Sequence, residues 1–156
     1  MASKDRGKIK IIGYVACVVS LLALVLFLVL DIIVVKTPTD PSYSGIKVIF
    51  GYESKSLIPV KYLKFSFMCL LSAIMMLTGC GVSLYGTFKS NKHCSLIGAL
   101  ILVVSAILTF MTPAFVIFDN GYQLLGPDVV LSGLGWIVAL LLIISAIGNA
   151  YSYIKE

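Results

Sequence analysis

The chain has 156 residues, 60% of them hydrophobic and 12% charged, with a mean hydropathy of +1.06. An average soluble domain is about a quarter charged, so a water-soluble fold of this composition would lack the polar surface to cover itself. The net charge of +5 sits on a chain too apolar to read as a nucleic-acid binder, and it is better explained as an address for anionic lipid headgroups.

Four blocks, residues 11–30, 65–88, 94–118 and 129–154, contain no Asp, Glu, Lys or Arg. A helix needs roughly 20 apolar residues to cross a hydrocarbon layer about 30 Å thick, and each block is long enough. The blocks are continuously apolar, whereas barrel strands alternate. The expected fold is therefore all-α, a transmembrane four-helix bundle running up-down-up-down. It forms a single membrane domain over 1–156, with spans near 10–35, 62–88, 94–118 and 129–154 and an outer loop over 36–61. The first block is longer than a signal-peptide core and no clear small-x-small site follows it, so it reads as a retained helix.

The N-terminal tail carries Lys4, Arg6, Lys8 and Lys10, the link between spans two and three carries Lys89 and Lys92, and the C-terminal tail carries Lys155. The opposite side spreads Lys36, Lys47, Lys55, Lys61 and Lys64 over a longer loop balanced by acids. Cations concentrate in cytoplasmic segments, which predicts both termini inside. Tyr14, Tyr85, Tyr151 and Tyr153 then fall near the inner interface and Tyr62 and Tyr122 near the outer one.

Asp31, near the outer end of span one and followed by Ile32-Ile33-Val34-Val35, is the one ionisable residue expected within the membrane, and such residues are candidates for function. A separation of 18 residues is five helical turns, so Gly13 and Asp31 share a face with Cys17, Ser20 and Leu24 close by. The outer loop opens with Pro38 and Pro41; its apolar centre, residues 44–52, fits either strand or helix. Span two offers Cys69, Ala73, Met76, Cys80 and Ser83 at helical spacing. Span three offers Gly98, Ser105, Thr109 and Thr112, with Pro113 expected to kink or end it. Asp128 is placed to cap span four, whose small face is Gly135, Ala139, Ala146 and Asn149. Small residues let membrane helices approach closely and hydroxyls bond across, so Gly13, Ser20, Gly98, Ser105, Gly135 and Ala139 are candidate packing positions. Asp31, Thr109, Thr112 and Asn149 are the candidate polar positions.

Span one has Ile12-Gly13 and then Val18-Val19-Ser20; span three has Ile97-Gly98 and then Val103-Val104-Ser105 at the same spacing. Residues 45–51 resemble 121–126, and Ser72-Ala73-Ile74 resembles Ser145-Ala146-Ile147. The order is that of two repeated helical hairpins, although apolar helices also generate such matches by chance.

No pattern for catalysis is present. Cys17, Cys69, Cys80 and Cys94 form no Cys-x-x-Cys pair, His93 is the lone histidine, and no phosphate-binding glycine loop or intramembrane aspartate pair occurs. A non-enzyme with no catalytic residue, cofactor or metal is expected. The layout resembles that of small, uncharacterised bacterial four-span membrane proteins, a likeness of architecture carried by no specific motif. Claudins share the layout, but their first outer loop carries a tryptophan cluster and a cysteine pair, and residues 36–61 contain neither Trp nor Cys. Tetraspanins carry their large loop between the last two spans, where this chain has a short turn, and no MARVEL-type signature is matched. The expected partners are the lipid bilayer and a membrane protein or a second copy of this chain. The expected roles are a scaffold or accessory subunit, a small transporter or oligomeric channel, and immunity against a membrane-active peptide.

Overall fold

A computed structural model describes residues 2–36, 41–53, 61–118 and 128–155. Four long helices make the fold all-α: α1 (Ala2–Val29), α3 (Phe67–Lys89), α4 (Lys92–Phe110) and α6 (Gly133–Lys155). Each contains a stretch long and apolar enough to cross a membrane. Two short helices, α2 (Gly45–Phe50) and α5 (Thr112–Phe115), lie at the end of the bundle away from the termini. The helices alternate in direction and pack as a ring, α1 on α3, α3 on α4, α4 on α6 and α6 on α1, so α1 and α4 stand diagonally opposed.

The α3–α4 hairpin is set by local chemistry. Ser90 takes the left-handed conformation (φ 52°) at the end of α3, and Asn91 N–H bonds the Gly86 carbonyl at 2.8 Å. The Asn91 side chain then accepts from Cys94 N–H, capping α4. Gly86 lets the helices converge here, since a Cβ on it would come within 2.6 Å of the Ser95 nitrogen.

The loop end carries a small sheet that hydropathy does not reveal. Strands β1 (Asp31–Lys36), β2 (Ser42–Ser44) and β5 (Asp128–Leu131) form an antiparallel sheet in the order β2-β1-β5, and β3 (Tyr52–Glu53) pairs with β4 (Lys61–Leu63). This shortens the expected spans. Span one stops at Val29, six residues before position 35; span two starts at Phe67, not 62; span three ends at Phe110, with α5 beyond it; span four starts at Gly133, not 129. The cause is visible in β1, where the β-branched run Ile32-Ile33-Val34-Val35 pairs Ile33 with Leu131, Val34 with Val130 and Val35 with Val129. Ile32 and Ile33 are both fully buried, and β1 lies between β2 and β5, so it is the central strand of the sheet.

Residues 44–52 combine both options left open by the sequence: Ser44 ends β2, residues 45–50 are α2, and Tyr52 starts β3. Gly51 makes the turn between them at φ 89°, a conformation glycine adopts without steric cost. Pro113 sits in the first turn of α5 after the chain breaks at Met111, so it ends α4 as expected of a proline.

The matched motifs do not occupy equivalent positions. Gly13 opposes Thr87 of α3, whereas Gly98 opposes Ser83, one turn nearer the loop end. Ser72 lies in the second turn of α3 and Ser145 in the fourth turn of α6. Residues 121–126, the partner in the remaining match, lie outside the described residues, as does Tyr122.

Candidate functional site

The bundle interior divides into two halves. Toward the loop end large apolar side chains dominate, Phe27, Met76, Leu102, Val138 and Leu142, all fully buried, with Ser72, Thr109 and Thr112 among them. Toward the terminus end it is lined by small and polar residues. Gly13, Cys17 and Ser20 on α1, Ser83 and Thr87 on α3, Ser95 and Gly98 on α4, and Ser145 and Asn149 on α6 are all buried there.

These side chains close on one another. A Cβ on Gly13 would come 2.5 Å from the Thr87 hydroxyl oxygen; one on Gly98 would collide with the Ser83 hydroxyl and come 2.8 Å from its backbone nitrogen. Ser145 Oγ donates across to the Ala16 carbonyl of α1 at 2.6 Å, and Ser95 Oγ donates to the Asn149 carbonyl of α6 at 3.1 Å. Cys80 Sγ reaches the Cys17 carbonyl at 3.5 Å, which also accepts from Ser20 Oγ at 2.8 Å. Most other hydroxyls bond within their own helix: Thr87 to Ser83, Ser105 to Ile101 and Thr109 to Ser105, all through backbone carbonyls.

The candidate polar positions do not come together. Thr109 and Thr112 are buried near the loop end of α4 and its continuation, and each spends its hydroxyl on a carbonyl one turn back. Asn149 is at the terminus end, fully buried, with Nδ2 bonded to the Ser145 carbonyl at 3.0 Å and Oδ1 without a partner. Ser72 and Ser83 Oγ are also unpartnered. Asp31 lies beyond the end of α1, in β1, because the helix stops before it; it therefore shares no helical face with Gly13. Its Oδ2 accepts from Ser42 Oγ of β2 at 2.7 Å.

Gly135 and Ala139 are buried on the face of α6 turned to the bundle. A Cβ on Gly135 would meet the Ile32 carbonyl at 2.7 Å, so its closest contacts are β1 and Leu131 and not another long helix.

The residue that ties helix and sheet together was not singled out from the sequence. Ser132 Oγ donates to the Asp31 carbonyl at 2.6 Å and accepts from Gly135 N–H at 3.1 Å, while Ser132 N–H bonds the Ile32 carbonyl. Ser132 thus caps α6 in place of Asp128, which is paired opposite Lys36 in β5. A serine three residues before a helical glycine is the signal that could have found it. Ser66 does the same for α3, accepting from Cys69 N–H and donating to the Phe115 carbonyl at 2.7 Å.

Outside the bundle the helices present apolar side chains all round, among them Val18, Leu22, Leu77, Leu100, Ile107, Leu140 and Ile144. Tyr14, Tyr85 and Tyr151 are exposed toward the terminus end, and Trp136, edge-on to Phe110 at 5.0 Å, toward the loop end. Exposed apolar belts over four packed spans define an integral, multi-pass membrane protein. The chain matches no protein-family model, no curated protein and no solved structure in the comparisons made. Among the described residues no group of three His, Cys, Asp or Glu could hold a metal ion.

Proposed function

We propose that this protein is a non-enzymatic membrane scaffold or accessory subunit, acting through its lateral helix faces and the sheet-bearing cap formed by the first loop. The observation that carries the reading is closure of the small-residue seams. Glycines and hydroxyls consume one another's space in the bundle, so its interior is occupied by packing, while the large apolar side chains are left on the outside. Those outer faces meet acyl chains, and a partner helix would be held against them by van der Waals packing, without a hydrophobic driving force.

The transporter reading draws on three buried polar atoms without partners, Ser72 Oγ, Ser83 Oγ and Asn149 Oδ1, which water could satisfy in an opened bundle. The closed seam at Gly98 and Ser83 weighs against it, as does the position of Asp31 in a strand beyond the helix end. The immunity reading gains no specific residue. The cation-rich terminus end supports cytoplasmic termini, and the likeness of layout to small bacterial four-span proteins is what supports a bacterial cell membrane.

Crosslinking in native membranes tests the scaffold. Capture of a defined partner or of a second copy is the expected result; recovery as an isolated monomer across crosslinker lengths would overturn it. Flux of ions or amphiphilic cations through reconstituted vesicles would replace it with the transporter.

A further inference from the structure

At the loop end, beside the start of α3, a cleft of about 330 Å³ opens between the α2–β3 turn and the segment that leads into α3. Phe50 and Phe65 flank it, and Glu53 and Lys64 contribute its charges. We propose that this cleft binds the headgroup of a zwitterionic phospholipid, taking its phosphate at Lys64 and its ammonium at Glu53.

Depth gives the first argument. Phe65 lies two residues before α3, and a 23-residue helix is about as long as the hydrocarbon layer is thick, so the cleft lies in the headgroup layer of that leaflet. Side-chain exposure gives the second. Phe50 is 65% exposed, Phe65 48% and Phe67, at the start of α3, 61%, which leaves apolar rings at and beside the cleft for acyl chains to cover. The charge order gives the third. Tyr52 pairs with Leu63 and Glu53 with Lys61, so Lys64, beyond Leu63, lies on the helix side of the ladder and Glu53 on the far side. A phospholipid standing in the leaflet presents phosphate first and ammonium further out, in the same order. Gly51 holds the cleft's shape, since a Cβ there would press on the Leu63 carbonyl at 2.6 Å.

This inference requires only that the chain spans a bilayer and is independent of the scaffold reading. Native mass spectrometry of the full chain, delipidated and titrated with phosphatidylethanolamine or phosphatidylglycerol of identical acyl chains, tests it. Phosphatidylethanolamine adducts should persist at collision energies that strip phosphatidylglycerol. Glu53→Gln and Lys64→Gln should each weaken phosphatidylethanolamine retention about threefold, as expected for one partly solvated charge contact. Both side chains are solvent-exposed, and Lys64→Arg and Glu53→Asp should retain binding, which separates recognition from folding. Equal retention of the two lipids, or retention unchanged in both Gln variants, would overturn the proposal.

Discussion

Gly98 of α4 lies so close to Ser83 of α3 that a Cβ at position 98 would stand 2.8 Å from the Ser83 backbone nitrogen. A side chain can rotate away from such a contact; a backbone atom in the middle of a helix cannot. Gly98→Ala should therefore force the helices apart, at an overpacking cost of about 1–3 kcal/mol. Gly81, also on α3, has nothing within 4 Å of an added Cβ. Gly81→Ala should be neutral or gain about 0.5–1 kcal/mol from helix propensity. Thermal unfolding of both variants in one detergent checks the contrast.

That seam was legible in the sequence because its residues recur at helical spacing: Gly98, Ser105 and Thr109 fall on one side of α4, and Gly13, Cys17 and Ser20 on one side of α1. The ends of the spans were not legible. Residues 32–35 and 129–131 are as apolar as the helices they adjoin, and hydropathy does not distinguish a strand from a helix in so short a run. They are strands because they pair with each other across most of the chain's length, a contact no local pattern records. Asp31 was misplaced for the same reason, since its apparent place in the membrane came from counting β1 as helix.

Ser132 performs two tasks through one hydroxyl, and substitution can separate them. Ser132→Ala removes both the cap on Gly135 N–H and the link to the Asp31 carbonyl, and should cost about 0.5–2 kcal/mol. Ser132→Asp keeps an acceptor for the cap but, ionised, has no proton to donate to the carbonyl. It should recover only part of the loss, read as a melting temperature between those of wild type and Ser132→Ala.

The cysteines report both packing and orientation. Cys17, Cys69 and Cys80 are buried, while Cys94, at the start of α4, is partly exposed. A maleimide should label the folded protein at Cys94 alone and the denatured protein at all four. With the termini in the cytoplasm, an impermeant maleimide should reach Cys94 in inverted vesicles and fail to reach it in right-side-out ones. The opposite sidedness would reverse the orientation.

Asp31 and Ile33 lie two residues apart in one strand and should respond very unequally to a change of charge. Asp31 is only partly buried and its carboxylate accepts from Ser42 at a solvated rim, where Asn can still accept through its amide oxygen. Asp31→Asn should shift stability by no more than about 0.5 kcal/mol, as for most surface changes, and leave vesicle permeability unaltered. Ile33 is fully buried between paired strands, so Ile33→Asp places an uncompensated carboxylate in the apolar heart of the cap. That change should cost several kcal/mol, on the order of breaking a buried ion pair, and abolish recovery of folded protein. If Asp31→Asn instead altered flux without altering stability, the carboxylate would have a role beyond its bond to Ser42, and the transport reading would regain its main residue.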